Sequence, residues 1–299
     1  MGIKDLIKER KFRFAAELID CLHKLAMPGQ PCVFRGQAQA DWPLQPSIER
    51  AGWDAATWPA KEDYVRSEFK RRAHHYLLDL PDNDDELGWL ALMRHHGAPS
   101  RLLDWTKSPY VAAFFAALDA RPDKPFAIWA FNGDKLKQSA LGQLKGAQKI
   151  LGKRNAEFKT EDLESWERFV GSPKNFEAAF LTDRGSLNER KDWPHFVVPL
   201  EPYRTNERLT IQQGVFMCAN SLKSPFERIL RDTLECLSEP LHKLVIDYDA
   251  RFEVLAQLDK MNITEATLYP GLDGFARSLR ISAEIAGKEW FRAARSAPA

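Results

Sequence analysis

The alternation of apolar and polar positions divides the chain into helical and extended stretches. Residues 3–26 begin charged and become amphipathic, with Phe12, Phe14, Leu18, Ile19, Leu22 and Leu25 predicting an N-terminal helix that ends near Pro28 and Gly29. Cys32-Val33-Phe34, held between Pro31 and Gly36, predicts a short buried strand. Two more helices are predicted, over 61–80 (Tyr64, Val65, Phe69, Ala73, Tyr76, Leu77) and 86–96 (Leu87, Leu90, Ala91, Met93), with Gly97 as a stop. Ser108 and Pro109 read as N-cap and first residue of a helix striped by Val111, Ala112, Phe114, Phe115 and Leu118. Residues 126–131, six apolar positions ended by Asn132-Gly133, predict a buried strand. Extended segments follow at 195–200, 209–218 and 244–248, with helices at 225–237 and 252–261 and a last helix after Pro270-Gly271. From residue 134 to about 190 the sequence is polar and irregular, and reads as a helical, polar insertion or peripheral lobe. Strands scattered among helices predict one α+β domain over 1–299, a central antiparallel or mixed sheet flanked by helices.

Composition narrows the function classes. The 43 basic and 42 acidic side chains leave a formal net charge of +1, so bulk electrostatics makes no case for nucleic acid or a membrane. Cys21, Cys32, Cys218 and Cys236 form no CxxC pair or zinc spacing, and neither a signal peptide nor a run of about 18 apolar residues occurs. That describes a soluble protein of a reducing cytoplasm. GxGxxG, GxxxxGK[ST], HExxH and GxSxG are missing. No metal is expected, because adjacent His95 and His96 on a helix point about 100° apart and rarely share one ion.

Polar chemistry concentrates in residues 92–118, where His95, His96, Arg101, Asp104, Thr106 and Ser108 precede an apolar helix. Free N–H groups at that helix N-terminus would favour an anion. Arg35, closing the first buried strand before Gly36 and Gln37, either aims its fork at an anion or pairs with a structural carboxylate. Gln212 and Gln213, adjacent before Gly214, either serve a ligand's polar edge or tie strands together. The basic run 71–75 reads as a solvated face.

Three segments then carry a resemblance: Phe34-Arg35-Gly36-Gln37, the stretch from His95 to Pro109, and Ile211-Gln212-Gln213-Gly214-Val215-Phe216. They resemble the FRG domain family, named for its Phe-Arg-Gly tripeptide, and LYPGLDG at 268–274 is similar too. The resemblance implies a bacterial or phage-associated cytoplasmic protein that serves antiphage defence or acts as a toxin. The order of parts is also distantly similar to ADP-ribosyltransferases, which implies that kind of fold. There Arg35-Gly36 matches the first-strand Arg, Thr106-x-Ser108 the Ser/Thr motif, and Gln212-Gln213 stands where a catalytic Glu belongs. A neutral Gln cannot supply the charge that stabilises an oxocarbenium-like centre.

Two functions of different classes follow. One is a transferase or glycohydrolase that uses NAD or a related nucleotide as substrate, with no covalently bound cofactor. In it Arg35, His96, Asp104 and Gln213 act at the reacting centre, and Arg35, Gly36, Gln37, His95, Arg101, Thr106, Ser108 and Gln212 bind the nucleotide. The other is a non-catalytic module that recognises a nucleotide, a nucleic acid or a protein. Against both stands a buried polar network in which Arg101 pairs with Asp104 to lock helix to strand.

Overall fold

The computed structural model describes residues 6–27, 29, 32–151, 160–181, 194–237 and 240–296. Seven strands form one sheet in the order β1-β7-β4-β2-β3-β6-β5. They are β1 (Ile7–Phe12), β2 (Cys32–Gln37), β3 (Leu102–Thr106), β4 (Phe126–Asn132), β5 (Val197–Leu200), β6 (Gly214–Ala219) and β7 (Leu241–Ile246). β1 pairs with β7 in parallel, and every other pairing is antiparallel. The expected mixed α+β architecture is what the chain adopts.

The helices among the described residues are α1 (Ala15–Leu25), α2 (Trp58–Ala73), α3 (Glu86–His95), α4 (Pro109–Leu118), α5 (Gly133–Leu151), α6 (Trp166–Val170), α7 (Pro173–Phe180), α8 (Glu207–Ile211), α9 (Phe226–Leu237), α10 (Arg251–Lys260), α11 (Glu265–Leu268) and α12 (Leu272–Ser296). On one face of the sheet they form two separate cores. α1, α4, α10 and α12 pack over β4, β7 and Phe34 of β2, around Ala112, Phe114, Phe126, Ile128 and Leu244. α3, α6 and α7 pack over β3, β6 and β5, around Leu90, Met93, Leu102, Phe180, Val198 and Cys218. The other face is covered chiefly by α9, with Trp105, Trp129, Phe131 and Met217 beneath it. The two cores therefore divide near the β2–β3 junction.

Several expected elements change form. The helix expected over 3–26 starts only at Ala15, and Ile7–Phe12 is a strand. Its charged middle, Lys8 to Lys11, is exposed at the sheet edge, where charge discourages further pairing. The expected strand 209–218 is split. Asn206 caps α8 by accepting the Leu209 N–H at 2.7 Å, and Gln213 turns the chain at φ +47° before β6 begins. A strand missing from the sequence reading, β3, runs through the polar cluster itself.

The helix expected over 61–80 runs instead from Trp58, with Pro59 in its first turn, to Ala73; Tyr76 beyond it is exposed. The described part of 134–190 is no solvated outgrowth. Leu144, Leu163, Trp166, Phe169, Phe176 and Phe180 are buried in the second core, and α5 adds Ala140 to that core and Leu136 to the one beneath α9. Residues 152–159 and 182–193 of that stretch lie outside the described residues. Among the described residues no helix is long and apolar enough to cross a membrane, and the four cysteines are free thiols.

Candidate functional site

A cavity of about 390 Å³ lies where the two cores part. Its floor is the sheet at Phe34, Gly36, Asp104, Thr106, Gly214 and Phe216; α3 walls one side, α4 another, and α8 with Tyr269 closes the rim. Phe34 pairs with Thr106 across β2 and β3, so the two-residue period places Phe34, Gly36, Asp104 and Thr106 on this face. Arg35 and Trp105 alternate towards the other side of the sheet, yet both also border the cavity.

The Phe-Arg-Gly tripeptide thus divides its work. Phe34 is buried in the core beneath α4. A Cβ on Gly36 would stand 2.1 Å from the Ala112 carbonyl oxygen and 2.6 Å from the Ala116 nitrogen, so glycine is what lets α4 rest on the strand. Arg35 donates from Nη1 to the backbone carbonyl of Asp104, which ties β2 to β3 beyond their single paired position. Burial lowers the Arg35 pKa to about 10, with Asp104 opposing the shift and the Arg94 and Arg50 charges adding to it.

Asp104 carries the chemistry of the floor. Its carboxylate accepts Nε of Arg94 at 3.1 and 3.0 Å and also Nη2 of the same guanidinium. Across the cavity, the Arg208 and Arg277 guanidinium carbons lie 4.4 and 4.7 Å from the Tyr269 ring centre on which they stack. Phe115 meets the Tyr269 ring edge to face at 6.2 Å. His95 lines the wall, and burial, then His96 and Arg208, hold its imidazolium below the ordinary range. At neutral pH it is therefore an uncharged donor or acceptor.

Of the residues singled out in the sequence, Arg35, Gly36, His95, Asp104, Thr106 and Gln212 line the cavity. The others do not. His96 is exposed beside His95, past the last turn of α3, and is not among the residues that line the cavity. Gln213 is exposed, because its positive φ swings it out of the strand in which it was expected. Gln37 is buried on the far face, donating to the Pro43 carbonyl at 3.1 Å and accepting Trp129 Nε1 at 2.6 Å. Arg101 is a core residue: its Nε reaches Glu62 Oε2 at 2.7 Å, and its Nη1 donates to the Phe180 carbonyl. It does not pair with Asp104, which belongs to Arg94. Ser108 caps α4 as expected, accepting the Val111 N–H at 3.3 Å. The cavity, however, runs along the flank of α4 at Ala112 and Phe115 rather than at its N-terminus.

Thr106 spends its hydroxyl on the backbone of the neighbouring turns. Its hydroxyl donates to the Gln212 carbonyl at 2.7 Å and accepts the Ser108 N–H at 3.0 Å, fixing the turn between α8 and β6. Gln212 in turn donates to the Leu268 carbonyl at 3.0 Å, which sets the neighbouring Tyr269 on the rim. Arg94, Arg208 and Tyr269 were missed. Arg94 looks like any basic residue in a last helical turn, and the other two lie far away in the chain. Among the described residues no three His, Cys, Asp or Glu side chains are grouped to hold a metal ion.

The FRG domain family model matches residues 30–124. The matched stretch supplies β2, α2, α3, β3 and α4, that is, the floor centre and two walls of the cavity, whereas Arg208, Gln212 and Tyr269 lie outside it. No curated protein and no solved structure matches the chain.

Proposed function

We propose that the cavity binds a nucleotide, with NAD or a related dinucleotide as the first candidate. The observation that carries this reading is Asp104. One edge of its carboxylate is held by Arg94, while the side chain remains 47% exposed towards the cavity, opposite arginine and aromatic side chains on the rim. A fixed carboxylate can accept hydrogen bonds from ribose hydroxyls, while Arg208 serves a phosphate and Phe115 and Tyr269 a base. Calorimetric titration with NAD and ATP tests it. Binding to the wild type that Asp104→Asn weakens by roughly tenfold or more is expected, and no heat with either nucleotide sinks the reading.

Cleavage at the nicotinamide ribose with transfer of ADP-ribose is the second reading. It is favoured by the same open carboxylate, which would take the charge-stabilising role that Gln213 cannot fill. Release of nicotinamide by the wild type, lost in Asp104→Asn, would support it; NAD binding without release leaves a recognition module for a nucleotide or a partner that carries one. A toxin or antiphage role would rest on that release.

A further inference from the structure

Two buried donors bordering the cavity have no acceptor. Nε of Arg35 and Nε1 of Trp105 are both shielded from solvent and without a hydrogen-bond partner among the described residues. Trp105 as a whole is 4% exposed, and both residues line the cavity. They come from neighbouring strands. Since Phe34 pairs with Thr106 in antiparallel sense, one step along each strand brings Arg35 level with Trp105 on the same face. Phe34–Thr106 is the one registered pair of β2 and β3, and beyond it Arg35 Nη1 rather than a backbone N–H meets the Asp104 carbonyl.

Buried N–H donors are nearly always satisfied, and an orphaned one destabilises the fold. Trp129, on the other side of Arg35, shows the normal arrangement: its Nε1 donates to Gln37 at 2.6 Å. Trp105 lacks such a partner although it lies in the same apolar layer. The acceptor that both orphans call for must offer several lone pairs and welcome a guanidinium. Leu103, Val215 and Met217, packed around Trp105, offer none. The Asp104 carboxylate acts on the same guanidinium, with the positive charges of Arg94 and Arg50 opposing it, so an anion entering there would be held by the two donors and not by a surplus of positive charge.

We propose that Arg35 Nε and Trp105 Nε1 form an oxyanion subsite for a phosphate group, at the end of the cavity between β2 and β3. This deepens the nucleotide reading and rests on it for the identity of the natural ligand. It assigns Trp105 a binding role that the sequence analysis did not give it, and it makes Arg35 a ligand through the nitrogen that the sheet leaves free. Lysine in place of arginine would keep the charge but lose the fork.

The test is calorimetric titration of inorganic pyrophosphate into the full-length protein, Trp105→Phe and Arg35→Lys, with melting temperatures measured alongside. Trp105→Phe keeps the ring and removes only the N–H. The expected result is pyrophosphate binding by the wild type, weakened roughly tenfold by either substitution, with Tm of unliganded Trp105→Phe unchanged or raised because an orphaned donor is gone. Equal binding by wild type and Trp105→Phe overturns the subsite, as does a wild type that binds no pyrophosphate, in which case the donors are met by water only. The two readings separate cleanly. A nucleotide that binds the wild type and Trp105→Phe equally removes the subsite and keeps the nucleotide cavity; pyrophosphate binding that depends on Trp105, with no nucleotide bound, does the reverse.

Discussion

Arg94 and Arg101 stand close in sequence and each holds a carboxylate, yet the two pairs have opposite surroundings. The Arg101–Glu62 pair is closed, its side chains 2% and 1% exposed. Glu62 spends its oxygens on the Arg101 backbone N–H at 2.9 Å and on the guanidinium, and the Phe180 carbonyl takes a further donor. Nothing is left to meet a ligand. The Arg94–Asp104 pair is open, at 21% and 47%, with acceptor capacity turned to the cavity. The same chemistry thus locks α2 to β3 in one place and builds a binding wall in the other. What decides is the space left beside the pair.

The sharpest way to break this comparison is to remove Glu62. Glu62→Ala takes the buried carboxylate away from the Arg101 guanidinium and is expected to reduce unfolding free energy by about 3–5 kcal/mol in urea denaturation. A loss below about 1 kcal/mol would mean that the closed pair is no lock. Gly36→Ala comes next. Its added methyl meets the backbone of α4 and should lower stability by about 1–3 kcal/mol, while weakening any cavity ligand through the displaced Ala112 and Phe115. Unchanged melting and binding would show that α4 can shift freely.

Arg94→Ala should behave in the opposite manner to Glu62→Ala. Its pair is partly solvated, so stability should change by less than about 1 kcal/mol, whereas nucleotide affinity falls because Asp104 loses its orientation. A large loss of stability would erase the distinction between the two pairs.

A third carboxylate shows the case with no cation. Glu49 accepts the Phe226 N–H at 2.6 Å at the start of α9, its Oε2 has no partner among the described residues, and burial raises its pKa from 4.5 to about 7. The folded protein therefore binds this proton more tightly than the unfolded chain. Its stabilising contribution is complete below pH 4.5 and is lost as pH rises through about 7. Tm measured across that range should fall with pH in the wild type and fall less in Glu49→Gln. Parallel curves would rule out Glu49 as the titrating group.

Much of the fold was legible where periodicity was strong. β4 is fully apolar except at its end, and α4 has its Ser-Pro start, so both stand as expected. The errors came where tertiary hydrogen bonds overrode local pattern. Ile7–Phe12 is extended because β7 offers a parallel ladder, and Thr210-Ile211 is helical because Asn206 caps the preceding turn. The 134–190 stretch looks polar as a linear string, yet its spaced aromatics converge as Phe176 and Phe180 stack at 4.7 Å.

The sequence by itself determined the α+β class and the cap of α4, because these follow from local propensity, and it grouped Phe34–Gly36 with Asp104 only through the family resemblance. Only the tertiary structure decided that Arg94 rather than Arg101 holds Asp104, that Gln213 leaves the site, and that Arg208 and Tyr269 close it. A two-residue period says which face a strand residue takes, but not which strand lies beside it. The order β4-β2-β3-β6 is set by long-range packing, and that order puts a carboxylate, two cores and a free pair of donors around one cavity.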